Sequence, residues 1–125
     1  MQLKDHFYTI MQKGGEDACP SYDIRLNASH FIYQAHFPGE PITPGVCLLQ
    51  IARELLEEHL QRSLEVKAVK NMKFLAVVSP VATPDVTCRF DKLDLGTDAI
   101  RAQATVLSPD REFVKLSFTL STQGV

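Results

Sequence analysis

The chain has 125 residues, 45% of them hydrophobic and 22% charged, with a formal net charge of −2. That length predicts one domain spanning residues 1–125, with about two thirds of its unfolded surface buried on folding, and the composition excludes a disordered or low-complexity chain. Thirteen Lys and Arg residues are scattered without a cluster of five, which argues against nucleic acid or a membrane surface as partner.

Cys19, Cys47 and Cys88 are odd in number and lack metal-ligand spacing, so neither a disulfide framework nor a metal site is expected. Lys4, Asp5 and His6 precede the first apolar run, and no apolar stretch approaches the roughly 20 residues that span a bilayer. The expectation is a soluble, cytoplasmic protein.

Phe7 to Met11 is aromatic and β-branched and predicts a strand, with a turn at Gly14-Gly15. Tyr22, Ile24 and Leu26 alternate with Asp23, Arg25 and Asn27, the pattern of a half-buried strand. A short apolar piece, Phe31-Ile32-Tyr33, runs up to His36. The segment from His36 to Gly45 then holds three of the seven prolines, which excludes it from strand and helix interiors. It closes with Thr43 as the expected N-cap and Pro44 at the first helical position. A helix is predicted from Pro44 to about Arg62, with Leu48, Ile51, Ala52, Leu55 and His59 on its apolar stripe. Its polar side holds Gln50, Arg53, Glu54, Glu57, Glu58 and Gln61. Strands are expected within Val66–Val78 and over the alternating runs Val86–Asp91, Ile100–Val106 and Val114–Leu120. The sum is an α+β plan, an antiparallel meander covered on one face by a single long helix.

Two places suit chemistry. At the helix start, proline has no N–H, so the free backbone donors begin at Gly45 and Val46, with the positive end of the helix dipole behind them. Such donors suit a carbonyl oxygen gaining negative charge, as when a thioester becomes an enolate, although every helix offers some. His36 sits in a stiff Pro/Gly loop rather than on a periodic face, which fits a general base near neutral pH and equally a surface loop histidine. Cys47 lacks an activating partner and reads as core. Phe31, Tyr33 and Phe37 are candidates to line an acyl tunnel, or simply core aromatics.

Taken together, His36-Phe37-Pro38-Gly39-Glu40-Pro41-Ile42-Thr43-Pro44-Gly45-Val46, followed by Leu48-Leu49, resembles the signature of the 3-hydroxyacyl-[acyl-carrier-protein] dehydratases. The lead-in from Leu26 to Ala35 is similar too, and the close match covers about twenty residues. The resemblance implies a hot-dog fold, in which an antiparallel sheet wraps around one central helix. It also implies a lyase of fatty-acid or related lipid or polyketide synthesis. In that family the histidine matched by His36 removes the C2 proton of a 3-hydroxyacyl thioester and contacts its hydroxyl. The glycine matched by Gly45 donates its N–H to the thioester carbonyl, and an acid on the partner subunit's helix assists departure of water. No cofactor or metal is implied, since the phosphopantetheine arm belongs to the substrate. The implied partners are an acyl carrier protein or acyl-CoA substrate and a second subunit, in a homodimer, a higher homo-oligomer or a heterodimer.

The departures are as specific as the matches. The family's acid position holds Gln50, and Glu54 stands four residues on, where the family usually has glutamine. A neutral amide cannot deliver a proton, and loss of a general acid typically costs about 10²- to 10⁴-fold in rate. Helical side chains lean toward the N-terminus, so Glu54 leans toward Gln50 and makes a candidate substitute acid. Its neighbours Arg53, Glu57 and Glu58 equally suggest a solvated polar stripe. Ala35 replaces the glycine usual before the histidine, and Thr83-Pro84-Asp85 stands where Pro-Gly-Asp is common. Leu75-Ala76-Val77 occupies a stretch often basic in the family, leaving Lys67, Lys70 and Lys73 as the nearby cations. Three functions therefore remain open. They are an active dehydratase, a weak or silent acyl-binding subunit paired with an active partner, and a thioesterase or enoyl isomerase on the same scaffold.

Overall fold

A computed structural model describes residues 2–35 and 39–122. Its elements in chain order are β1 (Tyr8–Glu16), β2 (Cys19–Leu26), a short helix α1 (Phe31–Ala35), the long helix α2 (Gly45–Leu60), β3 (Leu64–Phe74), β4 (Asp85–Leu95), β5 (Ile100–Leu107) and β6 (Glu112–Thr122). The strands form one antiparallel sheet in the order β1-β2-β4-β5-β6-β3.

Alternation explains the sheet's two faces. Val86, Cys88 and Phe90 of β4, Ile100, Ala102, Ala104 and Val106 of β5, and Val114, Leu116, Phe118 and Leu120 of β6 are all buried. They point at α2, whose Cys47, Leu48, Ile51, Ala52, Leu55 and Leu56 complete the same core. The helix ends at Gln61, which takes a left-handed conformation (φ 56°) while its N–H donates to the Glu57 carbonyl.

Several expectations need correction. Only β4, β5 and β6 form a meander, because β3 crosses to the far edge and pairs with β6. Gly14 and Gly15 lie within β1, and the chain reverses between Glu16 and Cys19. Gly15 has φ +75°, and its missing Cβ leaves room for the Cys19 carbonyl, so the glycine serves a close approach rather than the turn itself. The apolar piece Phe31-Ile32-Tyr33, to which the sequence assigns no element, lies in a short helix, Phe31–Ala35. Pro44 is the N-cap of α2, without a side-chain capping bond. Thr43, expected as the cap, is buried, shares a 2.8 Å hydrogen bond with the Tyr33 hydroxyl and donates its N–H to Val78 O.

Candidate active site

The start of α2 leaves backbone donors free among the described residues. The N–H groups of Cys47 and Leu48 both donate to Pro44 O, at 3.0 and 3.2 Å. Those of Gly45 and Val46 have no partner among the described residues, so the two donors expected from the sequence are the two left at the helix end. No acidic residue lies in the first turn to compete for them. A Cβ built on Gly45 would lie 2.7 Å from Phe74 Cζ and 3.4 Å from Met72 Sδ, so β3 packs directly over the helix start. Phe74 and Val46 are themselves exposed, so the donors have apolar neighbours open to the surface.

His36 and Phe37 lie outside the described residues. Tyr33 is fully buried, stacked on Phe7 at 4.7 Å between ring centroids, and its hydroxyl is engaged with Thr43. Burial also pushes that hydroxyl well above the ordinary tyrosine range. Phe31 is exposed and stacks on His30 instead, so these two tunnel candidates are not brought together. The Cys47 thiol is buried and its pKa is raised by that burial, in keeping with a packing role.

Gln50 and Glu54 lie one turn apart and touch, as the direction of helical side chains anticipates: Gln50 Nε2 donates to Glu54 Oε2 at 2.9 Å. Glu54 is not on a solvated stripe. It is 5% exposed, and its Oε2 also accepts the Leu3 N–H at 2.8 Å. Its Oε1 accepts the Lys4 N–H at 2.8 Å and the Tyr8 hydroxyl at 3.0 Å. Each carboxylate oxygen thus takes two donors, and Glu54 ties residues 3–8 to the helix. Burial first, then the adjacent Glu54, holds the Tyr8 hydroxyl far above the usual range, so it stays a donor. The anchoring residues Leu3, Lys4 and Tyr8 were not read from the sequence as partners of the helix. The one signal was an acid followed directly in the chain by apolar Leu55 and Leu56. Among the described residues no group of three His, Cys, Asp or Glu is placed to hold a metal ion. No helix there is long and apolar enough to cross a membrane.

An antiparallel six-stranded sheet packed on one long helix, with a glycine and two N–H groups left unpaired among the described residues at the helix start, is a hot-dog fold. A family model described as ApeI-like, ApeI dehydratase, matches residues 12–113. The chain belongs to this ApeI-like dehydratase family. It is 31% identical over 99 residues to a 3-hydroxyacyl-[acyl-carrier-protein] dehydratase FabZ of Latilactobacillus sakei, covering 74% of this chain and 69% of that protein. It is 30% identical over 88 residues to the FabZ of Chloroflexus aggregans, covering 65% of this chain and 61% of that one. Among solved structures, the dehydratase heterocomplex ApeI:P from Xenorhabdus doucetiae is similar with a TM-score of 0.72 at 13% identity, over 90% of this chain and 96% of that chain. A hypothetical thioesterase with coenzyme A from Streptococcus pneumoniae is similar at 0.65 and 13%, over 94% and 86%. Likeness at that identity establishes the shared hot-dog fold.

Proposed function

We propose that this chain removes water from a 3-hydroxyacyl thioester to give a 2-enoyl thioester, with acyl carrier protein as the preferred carrier, in fatty-acid or related lipid or polyketide synthesis. The observation that carries the reading is the pair of N–H groups on Gly45 and Val46, unpartnered among the described residues, at the start of α2. They lie where a thioester carbonyl gaining negative charge would be stabilised. His36 takes the C2 proton, the C2–H electron pair becomes the C2=C3 double bond, and the C3–O bond breaks. Gln50 is neutral and has no proton to give, and both oxygens of Glu54 already accept two hydrogen bonds. The proton taken by His36 is therefore the one returned to the departing hydroxyl, which leaves as water. Glu54 contributes through Gln50, whose amide it holds at 2.9 Å. The arm that carries the acyl group belongs to the substrate.

A second reading is favoured by the same neutral Gln50: a subunit whose site is completed by the acid of a paired chain. The ApeI:P neighbour is itself a heterocomplex. Exposed Val46, Phe74 and Val77 give a second subunit, identical or different, an apolar surface to cover.

The test is hydration of a 2-enoyl thioester and dehydration of its 3-hydroxy counterpart by the purified chain alone, with thiol release followed in parallel. Turnover that is lost in His36→Ala and strongly reduced in Glu54→Gln supports the dehydratase. Indifference to Glu54→Gln removes Glu54 from the machinery. No turnover in either direction favours the paired-subunit reading, and free thiol marks a thioesterase.

A further inference from the structure

The sheet face turned away from α2 carries a cluster that the proposed reaction does not use. Cross-strand pairing sets Lys92 of β4 beside Gln103 of β5, Gln103 beside Ser117 of β6, and Ser117 beside Asn71 of β3. In the next row, Arg101 lies between Asp94 and Thr119. Lys70, Lys92 and Arg101 surround a cavity of about 190 Å³ whose walls also include Gln103, Ser117 and Thr119.

Two β-bulges deliver these cations. In β4 the register shifts between Phe90 and Lys92, with Asp91 as the extra residue. Phe90 faces the core, so an unbroken strand would point Lys92 inward, two residues on. The bulge reverses that and turns Lys92 outward, opposite Gln103. In β3 the register shifts between Val69 and Asn71, and Lys70 is the extra residue. Both irregularities fall at one level of the sheet and aim their lysines at one cavity. Bulges characteristically re-aim side chains at functional positions.

The charge balance there differs from that of its neighbour. The adjacent trough, of about 590 Å³, is also lined by Lys70, but its other two cations are paired. Arg89 pairs with Asp91 at 2.6 Å, Lys115 pairs with Glu112 at 3.6 Å, and Thr105 Oγ1 donates to Asp91 at 2.6 Å. Lys70, Lys92 and Arg101 have no ion pair within 4 Å among the described residues. Asp94, on the rim, is the one acid lining their cavity, and it too lies beyond 4 Å of them. Three cations facing one cavity with a single acid, Asp94, and no ion pair within 4 Å leave a net positive charge, which an anion seated between them offsets. A planar guanidinium, two ammonium groups and hydroxyl and amide donors from Ser117, Thr119 and Gln103 match a tetrahedral oxyanion.

We propose that Lys70, Lys92 and Arg101 form a binding site for a phosphate group on the outer face of the sheet. The phosphate is either free or carried as the monoester of a small molecule, and the site does not depend on the reaction at α2. The experiment is an amide chemical-shift titration of the full chain with inorganic phosphate, against sodium chloride at equal ionic strength. A second arm uses adenosine 3′,5′-bisphosphate. Phosphate is expected to shift the amides of Lys70, Gln103, Ser117 and Thr119 saturably. Lys92→Gln and Arg101→Gln should each weaken binding by about tenfold, the loss of one charge-assisted contact. Lys115→Gln, in the adjacent trough, should leave the affinity within about twofold, since Glu112 already pairs with that lysine at 3.6 Å. Tighter binding of the bisphosphate identifies a monoester ligand, and tighter binding of phosphate identifies the free anion. Equal shifts with chloride, or equal weakening by Lys115→Gln and Arg101→Gln, overturn the site. All three variants lie on the surface, and unchanged melting temperatures verify that the fold is intact.

Discussion

Replacing Glu54 tests how residues 3–8 are held to the helix. Four donors converge on its carboxylate, and two of them, the Leu3 N–H and the Tyr8 hydroxyl, are in buried bonds. The Lys4 N–H and Gln50 Nε2 are part-buried and can turn to water. Glu54→Leu leaves both buried donors without an acceptor at about 1–3 kcal/mol each, so the expected loss is roughly 3–5 kcal/mol. Glu54→Gln keeps one oxygen and places an NH₂ against the donors on the other side, so about half that loss is expected. For a chain of this length each kcal/mol is worth roughly 4 °C in melting temperature. Urea unfolding at neutral pH gives the energies, and amide exchange at Leu3 and Lys4 locates them. Both amides should exchange faster than those of β5 and β6 in either variant. If Glu54→Leu stays within about 0.5 kcal/mol of the parent, or costs no more than Glu54→Gln, the carboxylate is not the anchor.

Gly45→Ala should cost little stability, because the Phe74 ring it meets at 2.7 Å is half exposed and able to swing aside. Alanine keeps both N–H groups but sets a methyl beside them, so dehydratase turnover should fall by about 10²-fold through misplacement of the carbonyl, and unchanged turnover would show that no substrate group has to approach the backbone closely at Gly45. Thiol labelling of the native chain followed by mass spectrometry should modify exposed Cys19 first. Burial pushes the Cys88 thiol up to about 12, so Cys88 should react only on unfolding, and equal rates would contradict its burial. The Tyr22 hydroxyl is buried without a partner among the described residues, and burial, then Glu58, pushes its pKa up to about 12. Its pKa is higher folded than unfolded, so its contribution to stability is complete below about pH 10 and is lost as pH rises toward 12. Tyr22→Phe should match the parent or exceed it by up to about 1 kcal/mol at pH 7, and should lose less stability between pH 10 and 12. A parallel fall in both proteins would refute this.

The parts legible in the sequence were those written by local periodicity. Tyr22-Ile24-Leu26 and the alternations of β4 to β6 require only that one sheet face be buried, and the helix start follows from Pro44 and Gly45 alone. What escaped depends on distant partners. Glu54 shares its stretch of helix with Arg53, Glu57 and Glu58, and only the docking of residues 3–8 puts it inside. Thr43 satisfies every local rule for an N-cap, yet the Tyr33 hydroxyl claims its side chain. The place of β3 at the far edge is invisible locally, because its apolar pattern fits a meander equally well. The bulges at Lys70 and Asp91 are likewise set by register against β6 and β5.

The crossover of β3 also has a consequence on the ribosome. Phe74 finds its ladder partner in Val114, which emerges about 40 residues later, a delay of roughly 2–8 s at ~5–20 residues per second. β5 and β6 must both be made before β3 has an edge to join, so the nascent chain carries β3 unpaired, with Val69, Met72 and Phe74 uncovered. Substitutions in β6 that slow its docking should therefore reduce soluble yield in the cell more than they reduce the equilibrium stability of the finished protein.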